Sequence, residues 1–202
     1  MATAFLETLK LRRSHYPLTK TLPAQLTKSR LEEIITEAIR LTPSSFNSQS
    51  NRAVLLLGAE HEKLWDLTRD TLKAIVPAED WEPTGKKMDM FRAAAGTVMV
   101  FEDETVIKGM EEKFALYKER FAPWASQSSG MLEFNLWAAL SAEGAGANLQ
   151  HYNPLIDAKV AETWGIPASW KLNAQLVFGG KTGDAAPIEK KPDEEVFKSF
   201  GA

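Results

Sequence analysis

The sequence predicts an α+β fold, on three observations. Helical hydrophobic periodicity recurs along most of the 202 residues. Three or four short apolar runs of strand character are scattered among the helical stretches. Those runs do not follow the regular βαβ alternation of a doubly wound parallel sheet.

Residues 4–11 read as a short helix with Phe5, Leu6 and Leu9 on one side. It leads into Arg12-Arg13-Ser14-His15-Tyr16-Pro17, where Pro17 forbids further helix. Two adjacent arginines and a hydroxyl at a helix end have the chemistry of an anion cradle. Arginines there also serve simply to complement the helix dipole.

A second helix follows, with Ser29 and Glu32 at capping-box spacing and Thr27 as an alternative cap. Leu31, Ile34, Ile35, Ala38 and Ile39 repeat at helical intervals, and Pro43 helps to end the run. Next comes Thr42-Pro43-Ser44-Ser45-Phe46-Asn47-Ser48-Gln49-Ser50-Asn51, with one large apolar side chain and eight able to hydrogen-bond. Residues 53–57 then read as a buried strand. A polar loop pinned between two core elements is where a scaffold presents ligand contacts. Its hydroxyls and amides both donate and accept, which suits a ligand with mixed edges such as a flavin. A turn that caps its own backbone is the other reading.

Residues 60–76 form a third helix (Leu64, Leu67, Thr68, Leu72, Ile75), stopped by Pro77. Residues 78–85, rich in Pro, Gly and acid groups, read as a loop with Trp81 among polar neighbours. A short helix over 86–95 precedes a strand over 97–101, and Glu102-Asp103-Glu104 reads as its solvated end. Ile107, Met110, Phe114 and Tyr117 give another helical stripe, closed by Pro123. Residues 130–142 are the most apolar segment, a helix expected to be buried on all sides. Gly144–Pro154 carries Asn148, Gln150, His151 and Asn153; then come a helix over 155–164 and a last core strand over 174–178. The tail, 184–202, is charged but holds Val196, Phe197 and Phe200, which predicts that it docks. No internal repeat or linker divides residues 1–202, so one domain is expected.

A net charge of −3 and pI near 5.7 argue against a nucleic-acid or polybasic membrane role. With no cysteine, disulfides, thiolate catalysis and Cys-ligated metal are excluded, so redox chemistry would require a bound cofactor. Glu7, Lys10, Arg12 and Arg13 interrupt any signal-peptide core, and no apolar run approaches the ~20 residues of a membrane span. A cytoplasmic location is expected. Gly144-x-Gly146 follows a helix and has Leu149 at its third glycine position, so it is no dinucleotide fingerprint. Gly180-Lys181-Thr182 lacks the first P-loop glycine. His15, His61 and His151 are dispersed and no HExxH occurs, so no metal site is expected.

Four segments taken together resemble the FMN-dependent nitroreductase family along essentially the whole chain: Arg12-Arg13-Ser14, Pro43–Gln49, Gly144–Asn153 and Gly180-Lys181. Tyr16 and the run Gln150–Asp157 are similar to the Frm2-like and copper-induced nitroreductase subgroup. The resemblance implies a central mixed, mainly antiparallel sheet between helices, and a homodimer of interlocked subunits with FMN in each interface cleft. It implies an enzyme that uses NADPH or NADH to reduce small nitroaromatic or quinone acceptors by ping-pong hydride transfer through flavin N5. By position, Arg12, Arg13 and Ser14 would meet the FMN phosphate, ribityl chain and pyrimidine edge. Ser44, Ser45, Asn47 and Gln49 would come from the other subunit. Gln150 and His151 would lie near the reactive edge of the ring, and Lys181 would pair with the phosphate. No catalytic protein group is assigned, because the flavin carries the chemistry. The chain departs from many relatives at Gly183, where they have a second basic residue, and at Tyr16, where they have arginine. A flavin-holding sensor or storage protein with little turnover is the alternative function, and a dimeric helical scaffold is a third.

Overall fold

In a computed structural model, which describes residues 2–201, five strands form one sheet with helices on both faces. The elements are α1 (Ala2–Leu11), β1 (Leu18–Thr19), α2 (Lys28–Leu41), β2 (Asn51–Leu57), α3 (Ala59–Lys73), α4 (Trp81–Arg92) and β3 (Gly96–Asp103). There follow α5 (Glu104–Lys113), α6 (Lys118–Ala142), β4 (Gly146–Gln150), α7 (Asp157–Trp164), β5 (Trp170–Lys181) and α8 (Asp193–Val196). The strand order is β1-β5-β3-β2 with β4 also on β5, and every ladder between named strands is antiparallel. An isolated parallel bridge joins Ser14 to Ala147. The α+β expectation and its mainly antiparallel sheet hold.

Strand β3 explains the layering. All eight of its residues are buried, and a strand covered on both faces needs apolar groups at both parities. Val98 and Val100 pack under α2 and α6 with Leu31, Ile35, Leu132, Leu136 and Phe178. Met99 and Phe101 pack on the other face against α3, α4 and α7, through Leu64, Trp65, Phe91 and Val160. His61 is buried there, its ring nitrogens 2.9 Å from Thr97 Oγ1 and 3.1 Å from the Phe91 carbonyl.

Several local expectations change. Thr27, not Ser29, caps α2, its hydroxyl accepting from the Arg30 N–H at 3.2 Å. The segment expected as a loop over 78–85 contains the first turn of α4. Pro83 lies where an N–H has no helical acceptor to lose. A Cβ at Gly85 would come within 3.2 Å of the Trp81 indole nitrogen, so glycine lets that ring cross the helix and join the core. Pro123 does not close a helix but lies inside α6, where Phe121, Trp124 and Phe114 pack around the turn. Glu102 and Asp103 are buried parts of β3 rather than a solvated end; Asp103 pairs with Arg52 at 2.9 Å and caps α5. Helix α6 is not buried all round in the single chain, since Met131 and Phe134 are exposed. Val196, Phe197 and Phe200 of the tail are likewise exposed instead of docked on their own chain.

Candidate functional site

The first group of candidate residues gathers around β4. Beyond α1 the chain lies along β4's outer edge: the His15 N–H donates to the Ala147 carbonyl at 3.1 Å, and the Asn148 amide donates to the His15 carbonyl at 3.0 Å. Gly146 admits this approach. A Cβ there would stand 2.7 Å from Leu18 Cδ2, 3.0 Å from Lys181 Cγ and 3.1 Å from His15 Cβ. Arg12, Arg13, Ser14 and Lys181 are thus brought to the end of the sheet where β5 finishes. The Arg12 guanidinium lies over the Trp137 ring at 4.6 Å, and Arg13 donates to the Ala186 carbonyl. Among the described residues no carboxylate is within ion-pair distance of Arg12, Arg13 or Lys181. His15 registers the resulting field. Burial first, then the Lys181 and Arg13 cations, pull its pKa below the ordinary value, against a hydrogen bond to the Gly183 backbone and the charge of Asp184.

Gln150 ends β4 in this group, its amide donating to Asn148 Oδ1 at 2.9 Å and to the Tyr16 hydroxyl at 3.0 Å. His151 follows it, exposed. Tyr152 turns inward, and burial pushes its phenol up to about 12 with Tyr16 adding to the shift.

The second group is the loop after α2. Ser44 is half-buried and its Oγ accepts the Gln49 N–H at 2.8 Å. Ser45, half-buried, opens a 3-10 turn; Asn47 and Gln49 are exposed. Phe46, Asn47 and Gln49 have φ of 55°, 51° and 54°. For residues with a Cβ that conformation costs roughly 1–2 kcal/mol each and persists only where the surroundings impose it. Here they do. The Phe46 ring lies among Phe114, Phe121, Tyr117 and Trp124 at centroid distances of 4.7, 5.6, 5.8 and 6.0 Å. On the other side α6 holds the loop's stem. Ser128 donates to the Pro43 carbonyl at 2.8 Å and accepts from the Asn51 amide at 3.0 Å, and Asn135 donates to Thr42 at 2.9 Å. Ser44, Ser48 and Gln49 border a groove of about 350 Å³.

Sequence reasoning missed these supports. Their signal was present: Ser128 lies just before the most apolar stretch of α6 and Asn135 interrupts it, where an uncompensated polar group is costly.

Among the described residues no hydrogen bond joins the two groups within one chain, and the loop's end and Lys181 lie at opposite ends of β5. The Ser50 carbonyl at the loop's end accepts from Asp103 N at 2.9 Å, and Asp103 is in register with Trp170, the first residue of β5. Lys181 is the last residue of that strand. At about 3.3 Å per residue, roughly 35 Å of strand separates them.

The nitroreductase family profile matches residues 9–180. Two proteins of Saccharomyces cerevisiae are similar nearly end to end. The protein HBN1 is 38% identical over 96% of each chain, and the nitroreductase FRM2 is 32% identical over 92% of this chain and 91% of its own. Among solved structures, the nitroreductase CinD from Lactococcus lactis in complex with nicotinic acid superposes with a TM-score of 0.90 at 42% identity, covering 98% of this chain and 100% of that one. CinD has also been solved with chloramphenicol and with 4-nitrophenol. From these matches and its fold, the chain belongs to the nitroreductase family of oxidoreductases and is similar within it to Frm2-like members.

Proposed function

We propose that two copies of this chain form a cytoplasmic homodimer binding FMN between them, each chain of residues 1–202 acting as one FMN-binding domain, and that the dimer uses NADPH or NADH to reduce small nitroaromatic compounds or quinones. The separation of the two candidate groups carries this reading. One end of the sheet offers cations without carboxylate partners, and the other offers a strained loop of hydroxyls and amides. A two-fold partner brings unlike ends of two chains together without new elements. The exposed Met131 and Phe134 on α6, and the exposed tail aromatics, are the apolar surface such a partner would cover.

The donor set fits FMN. Arg12, Arg13 and Lys181 supply charge-assisted hydrogen bonds for a phosphate. Ser14, and Ser44, Ser45, Asn47 and Gln49 of the second chain, supply neutral donors and acceptors for the ribityl chain and ring edges. Gln150 and His151 would flank the reactive edge. When bound, FMN supplies the redox chemistry, accepting hydride at N5 from a nicotinamide and delivering it to the acceptor in ping-pong order. The complexes of CinD with nicotinic acid, chloramphenicol and 4-nitrophenol support small aromatic ligands as the class.

Purified protein should carry or take up about one FMN per chain, as one composite cleft per chain requires, and should oxidise NADPH or NADH rapidly with a nitroaromatic acceptor. Colourless protein that takes up no FMN would overturn the reading. Yellow protein with only slow turnover would instead favour a flavin-holding sensor or storage role.

A further inference from the structure

The hydrogen-bond chain at the end of β4 fixes the orientation of a side chain that the site so far leaves unused. Asn148 donates its amide to the His15 main-chain carbonyl at 3.0 Å. A main-chain carbonyl only accepts, so the Asn148 amide cannot be reversed, and its Oδ1 must face Gln150 as an acceptor. Gln150 Nε2 therefore donates to Asn148 Oδ1 at 2.9 Å and, with its second hydrogen, to the Tyr16 oxygen at 3.0 Å. That leaves Tyr16 as an acceptor toward Gln150 and its own O–H as a donor with no acceptor among the described residues. The ring is anchored as well, with its centroid 6.3 Å from that of Phe91 in the aromatic cluster of Trp65 and Tyr152. Yet Tyr16 remains 50% exposed. A phenol held by its ring and its lone pair, with its proton unspent, is a preorganised donor.

We propose that Tyr16 is a ligand-binding residue whose hydroxyl donates a hydrogen bond to an oxygen carried on a planar ring bound beside Gln150. The inference rests on the proposed flavin-dependent function. Two sources provide that chemistry: a carbonyl of the FMN ring, or the nitro or quinone oxygen of the acceptor. Either is an oxygen of an uncharged group that gains electron density on reduction, so the bond strengthens as charge develops.

The test is Tyr16→Phe, which keeps the ring on Phe91 and removes only the hydroxyl. FMN affinity, the visible flavin spectrum and the dissociation constant of 4-nitrophenol would be measured on both oxidised proteins. If the oxygen belongs to the acceptor, 4-nitrophenol binding weakens about five- to tenfold, within the range expected for one lost hydrogen bond, while FMN affinity and the flavin spectrum stay as in wild type. If it belongs to FMN, the affinity for FMN falls by a similar factor and the flavin band shifts. Unchanged FMN affinity, spectrum and 4-nitrophenol binding would overturn the proposal. Wild-type protein that binds no FMN would remove the flavin reading alone, and the 4-nitrophenol titrations would still decide whether the hydroxyl meets a ring-borne oxygen.

Discussion

Glu102 and Glu133 share one donor: the Asn173 side-chain amide lies 3.1 Å from Glu102 Oε1 and 3.5 Å from Glu133 Oε1. Asn173 reaches both because β5 carries an extra residue opposite the Val100–Phe101 step of β3, a bulge that re-aims its side chain. Ser129 completes the group, accepting from Asn173 at 2.7 Å and lying 3.4 Å from Glu133. Burial pushes Glu133 up to about 7, helped by the charge of Glu102 and opposed by the Ser129 hydrogen bond. Glu102 also rises, through burial and Glu104, against Lys171.

This arrangement predicts an unusual stability profile. Between an unfolded carboxyl value of 4.5 and a folded value of about 7, the native state holds a proton at Glu133 that the unfolded chain has lost. Stability from this group is therefore full at low pH and declines as pH rises through that window, by on the order of 3 kcal/mol in total. His61 acts oppositely. Burial lowers it from 6.5 to about 4, so its contribution grows as pH rises between those values. The two slopes offset each other in the wild type near pH 5–6. In Glu133→Gln the opposing Glu133 slope is gone, so relative to wild type urea unfolding should show stability rising more steeply with pH between about 4.5 and 7, and a variant more stable than wild type at pH 8. A Glu133→Gln variant less stable than wild type at pH 8 would contradict a buried, proton-holding carboxyl.

At Gln49 the φ of 54° separates backbone strain from side-chain function. Gln49→Gly removes the left-handed penalty and Gln49→Ala keeps it, so the glycine variant should be the more stable of the two by about 1 kcal/mol. Both retain the backbone N–H that Ser44 accepts, and both lose the amide proposed to meet FMN. Equal loss of FMN affinity alongside unequal unfolding midpoints is expected. Equal midpoints would mean that the loop does not hold this conformation in solution.

How much of this was legible beforehand depends on what the residues contact. The buried strand over 97–101 and the α2 stripe were readable because apolar pattern and final burial coincide. Strand β4 was not: Gly146-Ala147-Asn148 has little β propensity and is chosen for close approach, as the clash at a Gly146 Cβ attests. Strand β1 has only two residues. Glu102 looked like a surface acid because its partner, Asn173, lies 71 residues away on a bulge that no local pattern announces. Candidate site residues were named from four short segments in family order, but Tyr16 acquires a role only once Gln150 and Asn148 are seen to orient it.

The cations at the β4 end lead to a paired prediction. Lys181→Ala and Arg12→Ala should each weaken FMN binding, since a charge-assisted hydrogen bond contributes about 1.5–3 kcal/mol. Lys181→Ala should also release His15, whose pKa is held down by burial and then by that cation, so its NMR titration should move upward. FMN affinity unchanged in both variants would show that the phosphate lies elsewhere.

The proposed dimer gives the last prediction, and the placement of the two groups makes it specific. If Arg12 and Arg13 meet a flavin from their own chain, Asn47 and Gln49 must reach the flavin across the interface, because Lys181 and the loop's end at Ser50 lie at opposite ends of β5 and no hydrogen bond joins the two groups within a chain among the described residues. One variant would lack both arginine side chains and a second the Asn47 and Gln49 side chains; each homodimer should be impaired at both clefts. In a tag-selected heterodimer of the two variants, both lesions fall in one cleft, and the other is built wholly from intact residues. That heterodimer should recover about half of the wild-type flavin content and activity, as two-fold symmetry requires. Were all the contacts drawn from one chain, every cleft in the heterodimer would carry a lesion and nothing would be regained. A verified heterodimer without recovery would therefore reject the composite site.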